Sequence, residues 1–169
     1  EIMPIAAKQL LLSGVTTVFQ YDGEGRRVKR GSVVLVYDAL GRLAAEYGGT
    51  GQGGLQYLTA DHLGSARVGT DGSGVVKPWL DYLAFGEAIA AGVNGRPCGA
   101  LGEPRQKFTG KERDAETSLD YFESRYFSSA QGRFTSADAM LAKKEWLSDP
   151  QRWNRYAYVR NNPLRFVDP

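Results

Sequence analysis

A four-residue kernel, Asp-x-x-Gly, recurs along this 169-residue chain and constrains its fold more than any other feature. It occurs at 22–25, 38–41, 61–64 and 71–74, and the first two copies are sixteen residues apart. An Asp at the first turn position can accept hydrogen bonds from backbone N–H groups two or three residues on. A Gly at the fourth position can adopt the positive φ that returns the chain as a hairpin. The kernel therefore predicts a series of tight β-turns.

The segments between the kernels have the composition of strands. Residues 15–21 and 33–37, which precede the first two kernels, are rich in β-branched and aromatic side chains. Each repeat is therefore predicted to be a hairpin of two strands and one turn. Because a single hairpin is marginally stable, hairpins in series are expected to form a long sheet that curls or is covered.

The predicted fold class is all-β, with consecutive hairpins in a curved sheet. One or two short helices are expected near 137–153. The first would run from Ala137 to Leu147 with Ser136 as its cap, and the second would have Asp149 as cap before Pro150. The expected strands are 15–21, 27–30, 33–37, 43–47, 55–59, 66–70, 75–83, 105–109, 119–127, 133–135 and 156–160.

Composition excludes several chemistries. Cys98 is the only cysteine and His62 the only histidine, so an internal disulfide, a His-based metal site and a Ser-His-Asp triad all lack residues. A net charge of +2 is too small to indicate nucleic-acid binding. No segment is long enough to span a membrane, and no signal peptide is visible. We therefore expect no cofactor, no metal and no nucleic-acid partner.

Other conspicuous residues are predicted to be structural. The basic cluster at 26–30 is expected at a solvated hairpin end rather than at a phosphate site. The charged run at 111–114 is expected to be an exposed turn with ion pairs. The kernel aspartates are interpreted as turn residues and not calcium ligands, because an ion site needs several converging oxygens. Sheet packing, rather than sugar stacking, is expected for five aromatic residues: Tyr121, Phe122, Tyr126, Phe127 and Phe134.

A collinear series of motifs resembles the Rhs/YD-repeat proteins. YDALGR is similar to the YD-repeat signature, the DHLGS and DYLAFGE segments have counterparts in the family, and a longer run is similar to the Rhs repeat-associated core domain. Together the resemblance covers residues 16–169. In chain order the matching segments are 37–42, 57–67, 81–87, 108–134, 154–163 and 167–169.

The resemblance implies a cocoon-like, hollow β-shell with a C-terminal core plug, which encapsulates and presents a C-terminal effector. Residues 1–85 would form shell wall, 86–104 a loop and 105–169 the plug-like core, the whole being a fragment. The implied partners are the rest of the β-shell and a toxin passenger, and exposed strand edges also predict self-association. The implied location is secreted or cell-surface.

The resemblance further assigns a role to Asp138 and Asp168. In the family, aspartates from two such motifs, with an adjacent Arg, are associated with self-cleavage just after the core. One carboxyl of such a pair is held protonated as the acid while the other is the base. Asp168 begins an Asp-Pro motif, whereas the segment around Asp138 lacks the Pro, the Gly and the Arg often found before the Asp. Arg133 is close in sequence but is more simply a turn residue.

Structural alternatives stay open for these aspartates. Asp138 would otherwise be an early helical residue at a favourable dipole end, Asp168 a turn former and Asp149 a helix cap. Any enzymatic activity would be limited to self-cleavage in cis. The alternative function is a secreted or surface adhesin that binds carbohydrate, as in teneurin-like proteins, which an exposed aromatic patch would favour.

Overall fold

The Asp-x-x-Gly kernels form turns of one kind in the computed structural model of the chain. In each turn one Asp oxygen accepts the backbone N–H groups two and four residues on, at 2.9–3.0 Å. The Gly N–H donates to the Asp carbonyl oxygen, and the Gly φ lies between +81° and +83°. The predicted turns are confirmed at 22–25, 61–64 and 71–74, while 38–41 lies partly outside the described residues. The structure describes residues 6–12, 15–39, 43–48, 56–90, 92–93, 104–140 and 148–168.

A cation faces the second carboxylate oxygen of each turn aspartate. The partners are Arg26 with Asp22, Arg67 with Asp61 and Lys77 with Asp71, at 2.9, 2.8 and 3.4 Å. Partial burial alone would raise the pKa of Asp61. The hydrogen bonds from Ser65, Arg67 and Leu63 outweigh burial, so this pKa lies below its usual value. Each turn is therefore held by a carboxylate that must be ionised to make all its bonds.

The first compact unit, Glu1–Gln52, contains five antiparallel strands paired in chain order. Within β4 the exposed fraction alternates: Val33 and Leu35 are 4% exposed, whereas Val34 and Val36 are 43% exposed. This period of two shows that one face of the strand is covered. The strands are β1 (Ala6–Leu12), β2 (Val15–Tyr21), β3 (Arg27–Arg30), β4 (Val33–Tyr37) and β5 (Leu43–Tyr47).

The basic cluster at 26–30 is not simply the solvated hairpin end that the sequence predicted. Arg27 is 1% exposed, and its guanidinium carbon lies 4.2 Å from the centre of the Phe19 ring. Its Nη2 donates to the Tyr21 hydroxyl at 3.4 Å, and Arg30 is also buried. Both arginines face the covered side of β3, where cation–π contact with aromatic rings replaces part of their hydration.

The second compact unit, Gly53–Pro169, contains two antiparallel sheets. The backbone N–H of Ala66 donates to the Lys107 carbonyl oxygen at 3.0 Å, and the Thr109 N–H donates to Ser65 Oγ at 2.9 Å. These bonds join the 61–66 segment to the chain that enters the second sheet. The first sheet, in the order β6-β7-β8, consists of β6 (Gln56–Ala60), β7 (Ala66–Asp71) and β8 (Val76–Trp79). The second, in the order β12-β11-β10-β9, consists of β9 (Glu112–Arg113), β10 (Asp120–Phe122), β11 (Arg125–Ser128) and β12 (Arg133–Phe134).

The all-β fold class is confirmed, and the helical segments of the described residues are short 3₁₀ turns. Pro150–Trp153 begins as predicted, with Asp149 Oδ1 accepting the Gln151 N–H at 3.3 Å. The helix predicted from Ala137 is wrong at 137–140, which are not helical, and 141–147 lie outside the described residues. Further 3₁₀ turns occupy Phe108–Gly110 and Val159–Asn161, which overlap the C-terminal ends of the predicted strands 105–109 and 156–160.

A cluster of aromatic rings forms the core of the second unit. No member is more than 6% exposed, and the ring centroids of contacting pairs lie 4.8–6.1 Å apart in stacked, tilted or edge-on arrangements. Such burial contributes about 1.5–3 kcal/mol per ring. The sheet packing predicted for Phe122, Phe127 and Phe134 is confirmed. The members are Phe108, Phe122, Phe127, Phe134 and Tyr158.

The charged run at 111–114 is not the exposed turn that the sequence predicted, because Glu112 and Asp114 are buried while Lys111 and Arg113 are partly buried. Glu112 is 6% and Asp114 is 2% exposed. Nearby, Arg113 binds the fully buried Asp120 through two bonds of 2.8 and 2.7 Å and donates to the Gly86 carbonyl oxygen at 2.9 Å. Burial raises the pKa of Asp120 despite this arginine. Removing one partner of such a pair leaves a buried charge uncompensated.

We expect Gly86→Ala to destabilise the protein by about 2 kcal/mol more than Gly74→Ala. Both glycines have nearly the same φ, +82° and +81°, so backbone strain is matched. A Cβ at Gly86 would lie 2.3 Å from Cγ of Phe108, whereas a Cβ at Gly74 meets nothing within 4 Å. Urea unfolding of the two variants measures the difference, and equal losses would contradict the packing role of Gly86.

We expect Asp61→Asn to cost about 1 kcal/mol at neutral pH, with the cost shrinking below about pH 4. The folded pKa of Asp61 is lowered, so its stabilisation is complete above the unfolded pKa. It is lost as the pH falls through the folded pKa. Urea unfolding at a series of pH values measures the cost, and a difference independent of pH would contradict the ionic contribution.

Candidate functional site

The structure brings Asp138 and Asp168 to the same guanidinium group. Arg125 Nη2 lies 3.5 Å from Asp138 Oδ2 and 3.1 Å from Asp168 Oδ2. The two aspartates selected from the sequence therefore share one cation, although thirty residues separate them in the chain. With both carboxyls ionised, the three groups would carry a net charge of −1.

The core fixes the position of Arg125. This arginine is the first residue of β11, and its guanidinium carbon lies 3.6 Å from the centre of the buried Phe134 ring. Its side chain is 15% exposed, and Nη1 faces the Arg155 carbonyl oxygen at 3.5 Å. A guanidinium group held against a buried ring has little freedom to move toward a carboxylate. The aspartates must therefore be brought to Arg125.

A turn orients Asp138, not the helix that the structural alternative required. Its Oδ1 accepts the Met140 N–H at 2.8 Å, which leaves Oδ2 facing Arg125. Its backbone N–H donates to the Arg155 carbonyl oxygen at 2.8 Å. In return the Arg155 guanidinium donates to the Asp138 carbonyl oxygen, from Nε at 2.8 Å and also from Nη2.

Asp168 has the electrostatics of a proton donor. Burial raises its pKa, Arg125 lowers it, and the charge of Asp138 raises it, with a net shift above the usual value. Its side chain is still 32% exposed, so water can reach it. A carboxyl whose pKa is raised keeps its proton to higher pH, which suits the role of a general acid.

A cleft of about 330 Å³ opens beside the two carboxyls. Val159 and Arg160 line this cleft, and Asn161 follows them in the chain. The φ angles of these three residues are +40°, +56° and +57°. Three left-handed residues in succession, one of them β-branched, are costly, and such strain persists where surrounding structure imposes it. Apolar side chains also line the cleft: Met140, Ala157, Val159, Phe166 and Val167.

The other sequence candidates lie apart from this pair. Asp149 binds Arg152 and Arg160 at 3.2 Å each, in addition to capping its turn. Arg133, the arginine weighed from the sequence, is exposed and pairs through its backbone with Ala157. The role of Asp138 and Asp168 in cleavage stays a prediction.

Sequence reasoning missed Arg125 and Arg155 at this site. Arg125 stands thirteen residues before Asp138, in the Arg-Tyr-Phe run already matched to the family. Nothing local distinguishes it from the neighbouring arginines. Its contact with Phe134 depends on the pairing of β11 with β12, which local pattern does not reveal.

Neither a metal-binding cluster nor a membrane-spanning helix is found among the described residues. Among the described residues, no three His, Cys, Asp or Glu side chains converge as a metal site requires. The same part of the chain contains no helix that is long and apolar enough to cross a membrane.

Two curated proteins show sequence similarity to this chain. The toxin subunit YenC2 of Yersinia entomophaga is 34% identical over 105 residues, which are 62% of this chain and 10% of YenC2. The tRNA3(Ser)-specific nuclease WapA of Bacillus spizizenii is 26% identical over 170 aligned residues, 95% of this chain and 7% of WapA. This chain therefore spans a tenth or less of each relative. No family model matches it.

Solved toxin structures contain the same fold. TcdB2-TccC3 superposes with a TM-score of 0.63 at 21% identity, covering 98% of this chain and 8% of that chain. The Tc holotoxin pore of Photorhabdus luminescens gives a TM-score of 0.56 at 21% identity, with 99% and 8% covered. The chain is thus related to segments of bacterial toxin proteins. Its assignment to the Rhs core domain stays a prediction.

We expect the pKa of Asp168 to move in opposite directions in two variants. Arg125→Met removes the cation that lowers this pKa and should raise it, whereas Asp138→Asn removes a like charge and should lower it. Carboxyl-carbon NMR titration measures both shifts. An unchanged Asp168 pKa in both variants would show that the three side chains do not interact in solution.

Proposed function

We propose that this chain is a segment of a large β-shell that encloses and presents a C-terminal effector, and that Arg125, Asp138 and Asp168 cleave the polypeptide just beyond residue 169 to release it. The observation that carries the cleavage proposal is the placement of both carboxylates within 3.5 Å of one arginine nitrogen. The relationship to toxin proteins supports the shell.

The proposed organisation has residues 1–85 in the shell wall, 86–104 as a loop and 105–169 as the core. The antiparallel sheets, in which strands that follow one another in the chain are paired, fit a wall that continues into further strands. The remainder of the shell and the effector would be its partners. A secreted or surface location fits the same role.

In the proposed cleavage Asp168 is the acid and Asp138 the base. Asp138, the more exposed of the two at 39% against 32%, takes a proton from water as the water attacks the scissile carbonyl. Asp168 gives its proton to the departing amine, so a carboxylic acid and an amine replace the peptide bond. Arg125 keeps the two carboxyls together and offsets the charge that develops beside them.

The aromatic set considered for the adhesin alternative lies in the packed interior, although other aromatic side chains, such as Tyr57 and Trp153, are exposed. Phe122, Phe127 and Phe134 are at most 6% exposed, so they cannot stack on a sugar. Tyr121 and Tyr126 are half-buried and pack against each other, with ring centroids 5.4 Å apart. These five aromatic residues, which were considered for carbohydrate binding, are therefore used in packing.

We expect the purified full-length protein that carries this segment to break once, shortly after residue 169. Asp138→Asn and Asp168→Asn should each slow the break by about 10²–10⁴-fold, because each removes a proton-transfer group. Intact mass measured over time follows the reaction. Asp149→Asn is the control, since Asp149 also precedes a proline but binds other arginines, and it should cleave like the wild type.

Two outcomes would reject the cleavage proposal. One is a wild-type protein that stays whole under all conditions in which it is folded. The other is a break that continues at the wild-type rate in Asp168→Asn. Either result would leave a passive shell segment.

A further inference from the structure

We propose that Arg155 is a positioning residue of this site, which holds the main chain of Asp138 so that its carboxylate reaches Arg125. The inference rests on the proposed cleavage and deepens it. Arg155 donates to the main chain of Asp138, whereas Arg125 contacts its carboxylate, so the two arginines have different roles.

Arg155 and Asp138 are joined by reciprocal hydrogen bonds. The Asp138 N–H donates to the Arg155 carbonyl oxygen at 2.8 Å, and Arg155 Nε donates to the Asp138 carbonyl oxygen at 2.8 Å. Arg155 Nη2 donates to the same oxygen. Both polar backbone groups of Asp138 are therefore satisfied by one residue. The planar fork of an arginine fits this geometry, which the single ammonium of a lysine reproduces only in part.

Asp138 depends on such a clamp because no strand or helix holds it. It follows β12 in an irregular segment, and its Oδ1 is engaged by the Met140 N–H only two residues on. The direction of Oδ2 is therefore set by the local main chain. A small rotation of that main chain would move Oδ2 away from Arg125, since the separation is already 3.5 Å.

The position of Arg155 is fixed because the residues after it are bonded to the core and packed against it. The Phe134 N–H donates to the Tyr156 carbonyl oxygen at 2.9 Å, and Ala157 forms a bridge with Arg133. Tyr158 is fully buried in the aromatic cluster. The Arg155 carbonyl oxygen also faces Arg125 Nη1 at 3.5 Å. Arg155 therefore contacts both Arg125 and Asp138 from a segment whose position the core determines.

The test compares Arg155→Met and Arg155→Lys in the full-length protein that carries this segment, with Arg133→Met as the matched control. Intact mass over time gives the cleavage rate between pH 4 and pH 8, and thermal unfolding reports folding. We expect Arg155→Met to slow cleavage about 100-fold, the cost of a misplaced reacting group. The acid limb of its pH–rate profile should move to higher pH, because a cation beside the site is lost.

Arg155→Lys should recover part of the rate, since it restores the charge and one donor. Arg133→Met should cleave like the wild type, because Arg133 is exposed and makes its contacts through the backbone. Recovery by lysine together with a shifted profile in Arg155→Met supports positioning.

Failure of this inference is distinguishable from failure of the cleavage proposal. A wild-type rate and profile in Arg155→Met, with Asp168→Asn inactive, overturns the positioning role alone. Equal loss in both Arg155 variants, with an unchanged profile and a lower melting temperature, assigns Arg155 to folding and also overturns it. Wild-type cleavage in Asp168→Asn overturns both proposals.

Discussion

Contact among five aromatic rings determines the arrangement of the second unit. Phe108 comes from a 3₁₀ turn, Phe122, Phe127 and Phe134 from three strands, and Tyr158 from the irregular C-terminal part. None of these elements is longer than four residues, so none could bury an apolar face alone. Their mutual burial holds short segments that local hydrogen bonding would leave marginal.

The proposed site is built on the surface of that cluster. Arg125 lies on the ring of Phe134, and the Arg155 segment runs into Tyr158. Asp138 is then bound by both arginines, through its carboxylate and its backbone. The geometry of two carboxyls and one guanidinium is therefore a consequence of how the aromatic rings pack.

The two arginine–aspartate sites of this unit illustrate different uses of the same groups. Arg113 binds Asp120 through both carboxylate oxygens in a site where Asp120 is fully buried, which suits a structural lock. Arg125 instead divides one nitrogen between Asp138 and Asp168, and all three remain partly open to a cleft. Burial raises the pKa of Asp120 and of Asp168, but only Asp168 is exposed enough to exchange a proton with solvent.

The hairpin turns and the all-β class were determined by the sequence itself, because Asp-x-x-Gly satisfies its hydrogen bonds within five residues and needs no distant partner. The Asp149 cap is local in the same sense. The sequence also selected Asp138 and Asp168, through resemblance and not through any local pattern.

Only the tertiary structure decided the rest. It buried Glu112 and Asp114, replaced the expected helix at 137–140 with a turn, and placed Arg125 rather than Arg133 between the two aspartates. Each of these outcomes depends on which strands pair and which rings pack, and those contacts join residues far apart in the chain. A local pattern carries no information about them, because side chains such as Arg125 and Arg133 have the same intrinsic preferences until the fold places one of them against Phe134.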